Sequence, residues 1–143
     1  MTSPYYISTD KSKLSLEVIF DYLSNQSYWA KGRSMEAVEK TIKNSLCFGV
    51  YDAQNKQVGF ARVVTDYTIF AWLMDVFILS DCQGKGLGKM LMAEIMAHKD
   101  LQEIKRWGLA TNDAHDLYKK FGFNELSKPQ NMMEFIIANP SLQ

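Results

Sequence analysis

Apolar positions along the chain change their period several times, and each change marks an element. Tyr5 to Ser8 reads as a short first strand. Leu14, Ile19, Tyr22 and Leu23 fall at helical spacing, which predicts a helix ending near Asn25. Ser34 is placed to cap a second helix from Met35 to Asn44, because its hydroxyl can satisfy an orphan N–H. Leu46–Tyr51 and Val58–Thr65 read as strands, and the turn-forming Asp52–Lys56 between them predicts an antiparallel hairpin. After a further turn at Thr65–Thr68, Ile69 to Leu79 is nearly all apolar, the pattern of a central strand covered on both faces. Asp75 stands out within it. A helix from about Lys89 to Lys99 follows, with Leu87, Leu91 and Ile95 on one face. Trp107–Ala110 reads as a short strand, His115–Phe121 as a short helix closed by Gly122, and Met132–Ile137 as a last strand. Helices on both sides of strands predict an α/β or α+β domain.

Composition narrows the function. The 143 residues suit one domain, 1–143, with no Pro/Gly linker or internal repeat to divide it. Lys plus Arg number 16 and Asp plus Glu 16, so there is no long-range field for a polyanion, and general nucleic-acid binding is not expected. No stretch approaches the roughly 18 apolar residues of a membrane span, and the N-terminus carries no signal-peptide run. Cys47 and Cys82 lack any CxxC or zinc-type spacing, so no metal is expected. These features together predict a reduced, cytoplasmic protein.

The segment Gln83-Gly84-Lys85-Gly86-Leu87-Gly88 joins the buried strand to a helix N-terminus. Its glycines allow positive φ and close approach of a ligand, and N–H groups backed by the helix dipole suit a phosphate or pyrophosphate. Lys85 and Lys89 add charge at the rim. The P-loop pattern fails here, with Gln83 at its first glycine and Met90 at its Ser/Thr position. The dinucleotide pattern fails too, with Lys89 at its third glycine. The plainer alternative is a turn that only redirects the chain.

Gln83-x-x-Gly86-x-Gly88 matches the [QR]-x-x-G-x-[GA] motif of the GNAT superfamily of acyl-CoA-dependent N-acetyltransferases. Ala114-His115-Asp116-Leu117-Tyr118-Lys119-Lys120-Phe121-Gly122-Phe123 resembles the family's A-x-x-LYxxxGF segment. The order of elements also resembles that family from the first strand to Ile137. Two positions depart from its pattern: Ser80 stands where proline is frequent, and Thr111, beside Asn112, stands where asparagine is frequent.

The resemblance implies a mixed, mostly antiparallel sheet flanked by helices, with acetyl-CoA as acetyl donor. Its pyrophosphate would rest on Gln83, Gly84, Lys85, Gly86, Leu87, Gly88 and Lys89. Its pantetheine arm would lie along the main chain of Val76, Phe77 and Ile78, with Thr111 or Asn112 as a further contact. Tyr118 would donate a proton near the thioester sulfur, although periodicity alone reads it as a half-buried helix aromatic. Asp75, next to Val76, is either the base or amine-holding anion, or one half of a structural salt bridge to a residue such as Arg62. Trp29 and Arg33 are candidates for the acceptor site, with packing by Trp29 the alternative. The expected reaction is direct attack by a primary amine of a small molecule. Two readings compete with it: an acyl-CoA-binding sensor module without efficient transfer, and a protein or peptide N-acetyltransferase. Assembly as a homodimer stays open.

Overall fold

The computed structural model describes residues 4–137. Five strands form one sheet in the order β1-β2-β3-β4-β5: β1 Tyr6–Ser8, β2 Leu46–Tyr51, β3 Gln57–Thr65, β4 Phe70–Ile78 and β5 Arg106–Gly108. The first three neighbouring pairs are antiparallel, and β4–β5 is parallel. A parallel pair needs a crossover, and α3 (Leu87–Ala97) supplies it. Helices α1 (Leu16–Asp21) and α2 (Met35–Lys43) precede β2, and α4 (His115–Lys119) follows β5.

Side-chain alternation on the strands divides the core into two layers. On one side Leu87, Leu91, Met92 and Ile95 of α3 pack against Phe48, Val50, Ala61, Val63, Ala71 and Leu73. On the other side Ile19, Leu23 and Val38 of the first helical region cover Cys47, Phe60 and Phe77. Each fully buried Leu or Ile contributes about 1.5–3 kcal/mol, so these layers hold the sheet between its helices.

Local chemistry explains the element ends. Ser34 Oγ accepts from Ala37 N at 3.1 Å and caps α2, as its position in the sequence predicts. Helix α3 starts two residues earlier than expected, because Gly86 takes the left-handed conformation (φ 80°) and serves as its N-cap. Helix α4 stops at Lys119, and Gly122 (φ 94°) then turns the chain so that Phe123 N donates to Tyr118 O. After α1 the chain widens into a π-type turn over Tyr22–Gln26, closed by Ser27 N donating to Tyr22 O at 2.8 Å.

Two features depart from the expected sheet. Met132–Ile137 is not a strand: it follows a 3₁₀ turn at Pro129–Asn131 and pairs with none of the described strands. Its apolar run has the right composition, but strand structure requires pairing with a neighbouring edge, and no described strand pairs with it. The second departure is a bulge in β4. Arg62 faces Met74 and Phe60 faces Phe77, so β4 spends three steps where β3 spends two. The bulged residue is Asp75, at φ 55°. A bulge of this kind bends the strand and re-aims a side chain.

Candidate active site

The site begins where β4 and β5 part. Their last pair is Trp72 with Gly108. A Cβ at Gly108 would collide with the Trp72 ring, so the close approach needs glycine there. Beyond this pair no strand among the described residues neighbours the β4 edge. Of the three β4 positions expected at a cofactor, Phe77 turns its ring away, stacking on Tyr22 at 4.2 Å and 8°. It can therefore offer the gap only its main chain. Ile78 O accepts from Gln83 Nε2 at 3.0 Å, which ties the glycine loop to the end of β4.

Gly84 and Gly86 both adopt positive φ (79° and 80°), and open space lies where their Cβ atoms would stand. No side chain caps α3, so the N–H groups of its first turn, Leu87 to Lys89, retain their capacity for an external acceptor. Gly88 differs: its conformation is ordinary, and a Cβ there would stand at van der Waals range of Leu117 in α4. Lys85 Nζ donates to Tyr5 Oη at 3.2 Å, and this bond pushes the lysine pKa up. A concave run of N–H groups at a helix start fits an anion such as a pyrophosphate.

A groove of about 700 Å³ lies beside the parting strands, and Trp72, Gly108, Thr111, His115 and Tyr118 share its lining. Tyr118 is buried, its ring edge-on to Phe123 at 6.1 Å. Burial, with Tyr28 and Asp113 nearby, pushes its pKa up to about 12, so it stays protonated and able to donate at neutral pH. Thr111 Oγ1 accepts from the backbone N–H groups of Asp113 and Ala114, shaping the turn into α4. Asn112 N donates to Tyr28 Oη at 2.9 Å. Tyr28 thereby bridges from the α1–α2 loop to the far side of the gap. In the sequence, the only signal for this contact is an aromatic directly before Trp29.

The bulge sends Asp75 toward the α1–α2 side, where it is fully buried (0% exposed). Arg62 Nε and Arg33 Nη1 both donate to its Oδ2, at 2.6 and 2.7 Å, and Trp29 Nε1 donates to Oδ1 at 2.9 Å. Burial pushes this carboxyl pKa up, but the two guanidinium charges and their hydrogen bonds more than offset it, and the net direction is down. Of the two roles open from sequence, the ion pair has a counterpart in this geometry: Arg62 is one partner and Arg33 a second. A carboxylate held ionised by two cations is a weak proton acceptor. Trp29 and Arg33 both hold Asp75, and neither lines the groove beside Tyr118. Ser24 and Ser27, which the sequence reading leaves unremarked, pin their loop. Ser24 Oγ donates to Arg33 O, and Ser27 Oγ accepts from Ala30 N. Cys47 is buried and its thiol pushed up to about 11, chiefly by that burial.

Comparison with known proteins agrees with this arrangement. Residues 43–125 match the acetyltransferase (GNAT) domain family. A protein of Gibberella zeae bearing an acetyltransferase name is 30% identical, over 94% of this chain and 87% of its own length. An uncharacterised N-acetyltransferase of Pyropia yezoensis is 34% identical, over 82% of this chain and 69% of its own. A crystal structure of a GNAT-family protein from Xanthomonas campestris pv. campestris superposes with a TM-score of 0.91 at 44% identity, covering 95% of this chain and 96% of that one. Glucosamine-6-phosphate N-acetyltransferase from Arabidopsis thaliana, at 16% identity and a TM-score of 0.64, shares the fold. The chain belongs to the GNAT family of acetyltransferases.

Proposed function

We propose that this acetyltransferase moves an acetyl group from acetyl-CoA to the primary amine of a small molecule by direct attack. The observation that carries the reading is an arrangement: beyond its last pair with β5 at Trp72 and Gly108 the β4 edge runs on to Ile78, where Gln83 ties in the glycine turn, and Tyr118 lines the groove beside Trp72 and Gly108. Acetyl-CoA would supply the activated thioester carbonyl. The N–H groups from Gly84 to Lys89 fit its pyrophosphate, and the main chain of Val76 to Ile78 fits an extended arm along the strand edge. Tyr118 donates to the departing sulfur as the amine nitrogen bonds to the carbonyl carbon and the C–S bond breaks. The proton lost by the amine passes to solvent through the open groove, since Asp75 is committed to Arg62 and Arg33. Thr111 holds the turn before α4 and so sets where Tyr118 stands. Trp29 and Arg33 shape the acceptor side through the loop they anchor, without lining the groove.

A neutral net charge favours a small acceptor over a nucleic-acid-bound or strongly charged protein substrate. No described helix is long and apolar enough to cross a membrane. The test is acetyl-CoA turnover against a panel of small amines and N-terminal peptides, with calorimetry for acetyl-CoA, NAD and ATP. Acetyl-CoA binding with turnover on a small amine is expected. Binding without turnover on any acceptor selects the sensor reading, and NAD or ATP binding in place of acetyl-CoA overturns the assignment of the glycine turn.

A further inference from the structure

We propose that Tyr28 is a positioning residue for the reaction: its hydroxyl ties the two sides of the gap together beyond the point where β4 and β5 part, and so holds α4 and Tyr118 in place. The inference rests on the reading of Tyr118 as proton donor. Ladder hydrogen bonds fix the spacing of β4 and β5 as far as Trp72 and Gly108. Past that pair no ladder bond among the described residues sets it, and the loop between α1 and α2 supplies a tie instead. On the β4 side, Trp29 Nε1 donates at 2.9 Å to Oδ1 of Asp75, three residues beyond Trp72. On the β5 side, Asn112 N, four residues beyond Gly108, donates to Tyr28 Oη at 2.9 Å. Two adjacent residues of one loop thus grip both sides of the gap.

The loop side is anchored. Ser27 and Ala30, which flank the pair, are each 3% exposed, and Ser27 Oγ donates to Leu23 O at 2.6 Å while accepting from Ala30 N at 3.0 Å. The Tyr28 ring stands edge-on to Trp29 at 4.9 Å and 82°, a favoured aromatic geometry. The far side is the part that needs holding. Residues 110–114 form neither helix nor strand, and Thr111 Oγ1 satisfies Asp113 N and Ala114 N from within the turn itself. Those bonds shape the turn without fixing where it stands. The bond from Asn112 to Tyr28 spans 84 positions and does fix it. Helix α4 starts directly after the turn, and Tyr118 is its fourth residue. Burial first, and then Tyr28, push the Tyr118 pKa up, which agrees with the two phenols standing near one another. A displacement of about 1 Å at a reacting group can cost about 10²-fold in rate, so one hydroxyl at this place reaches the chemistry.

Tyr28→Phe removes the hydroxyl and keeps the ring on Trp29. Because Tyr28 is 43% exposed, the melting temperature should fall by only about 2–8 °C. In the ligand-free protein, amide exchange at Asn112 and through 113–118 should speed up. With acetyl-CoA and the fastest small amine of the panel, kcat should fall about tenfold or more while both KM values stay within about threefold. In a Tyr118→Phe background the same substitution should change kcat by less than about twofold, because a donor that is gone cannot be misplaced. Trp29→Phe, which frees the loop from Asp75, takes its place in both backgrounds should Tyr28→Phe fail to fold. Unchanged kcat or unchanged exchange overturns the proposal. So does an equal loss in both backgrounds, which makes Tyr28 a structural residue, and so does a rise confined to the amine KM, which makes it an acceptor contact. Full turnover by Tyr118→Phe alone, or no turnover of any amine by the wild type, fails the reading of the donor or of the transfer, and this one with it.

Discussion

Replacing Asp75 by Asn keeps the shape of the side chain and removes the charge that Arg62 and Arg33 share at 2.6 and 2.7 Å. The two guanidiniums then face a neutral amide, and the Arg62 side chain is itself only 7% exposed. Removing one partner of a buried ion pair costs about 3–5 kcal/mol, a large part of the roughly 5–15 kcal/mol that holds a domain folded. With urea m-values of about 1–3 kcal/mol per molar, the unfolding midpoint at pH 7 should fall by at least about 1 M. The pH dependence gives an independent sign. This carboxyl has its pKa lowered in the folded state, so its contribution is fully present above the unfolded value of about 3.9. It is lost as pH falls through the lower folded value. The gap between wild type and Asp75→Asn should therefore be widest near neutrality and narrow as pH falls below about 4. Urea titrations of both proteins at pH 7 and at pH 3 measure it. Equal midpoints at pH 7 accompanied by a collapse in turnover would refute the ion-pair reasoning and restore Asp75 as a proton acceptor.

Tyr118→Phe should lower kcat by about 10²–10⁴-fold with acetyl-CoA affinity nearly unchanged, measured by steady-state kinetics and calorimetry; unchanged turnover assigns Tyr118 to packing. Gly86→Ala puts a Cβ at φ 80° in open space, so its effect is backbone strain of about 1–2 kcal/mol, and both the melting temperature and acetyl-CoA affinity should fall. Unaltered affinity would remove the α3 turn from the cofactor site. At pH 8 a thiol reagent should modify Cys82 quickly in the folded protein and Cys47 only after unfolding, because burial holds the Cys47 thiol up at about 11. Equal rates at both positions would contradict the packing of Cys47 beneath α2.

How much of this was legible in the sequence depends on whether the deciding interaction is local. The Ser34 cap and the Asp52–Lys56 turn are settled within a few residues, and there pattern and structure agree closely. The glycine turn was legible for the same reason, since left-handed φ at Gly84 and Gly86 is a property of the residues themselves. Asp75 shows the limit. Periodicity assigns it to a straight strand and leaves its partner to guesswork. The bulge that redirects it comes from unequal step counts on β3 and β4, which no window on either strand contains. Asp is among the residues that tolerate positive φ, so the one polar residue in the run was also the one best able to occupy the bulge. Once redirected, it collects Arg33 and Trp29 from a loop more than 40 positions away, contacts that no local pattern contains. The same logic accounts for Met132–Ile137. An apolar alternating run states that a strand can form, but the edge that completes it must come from elsewhere. No described strand supplies that edge, and the segment stays outside the sheet.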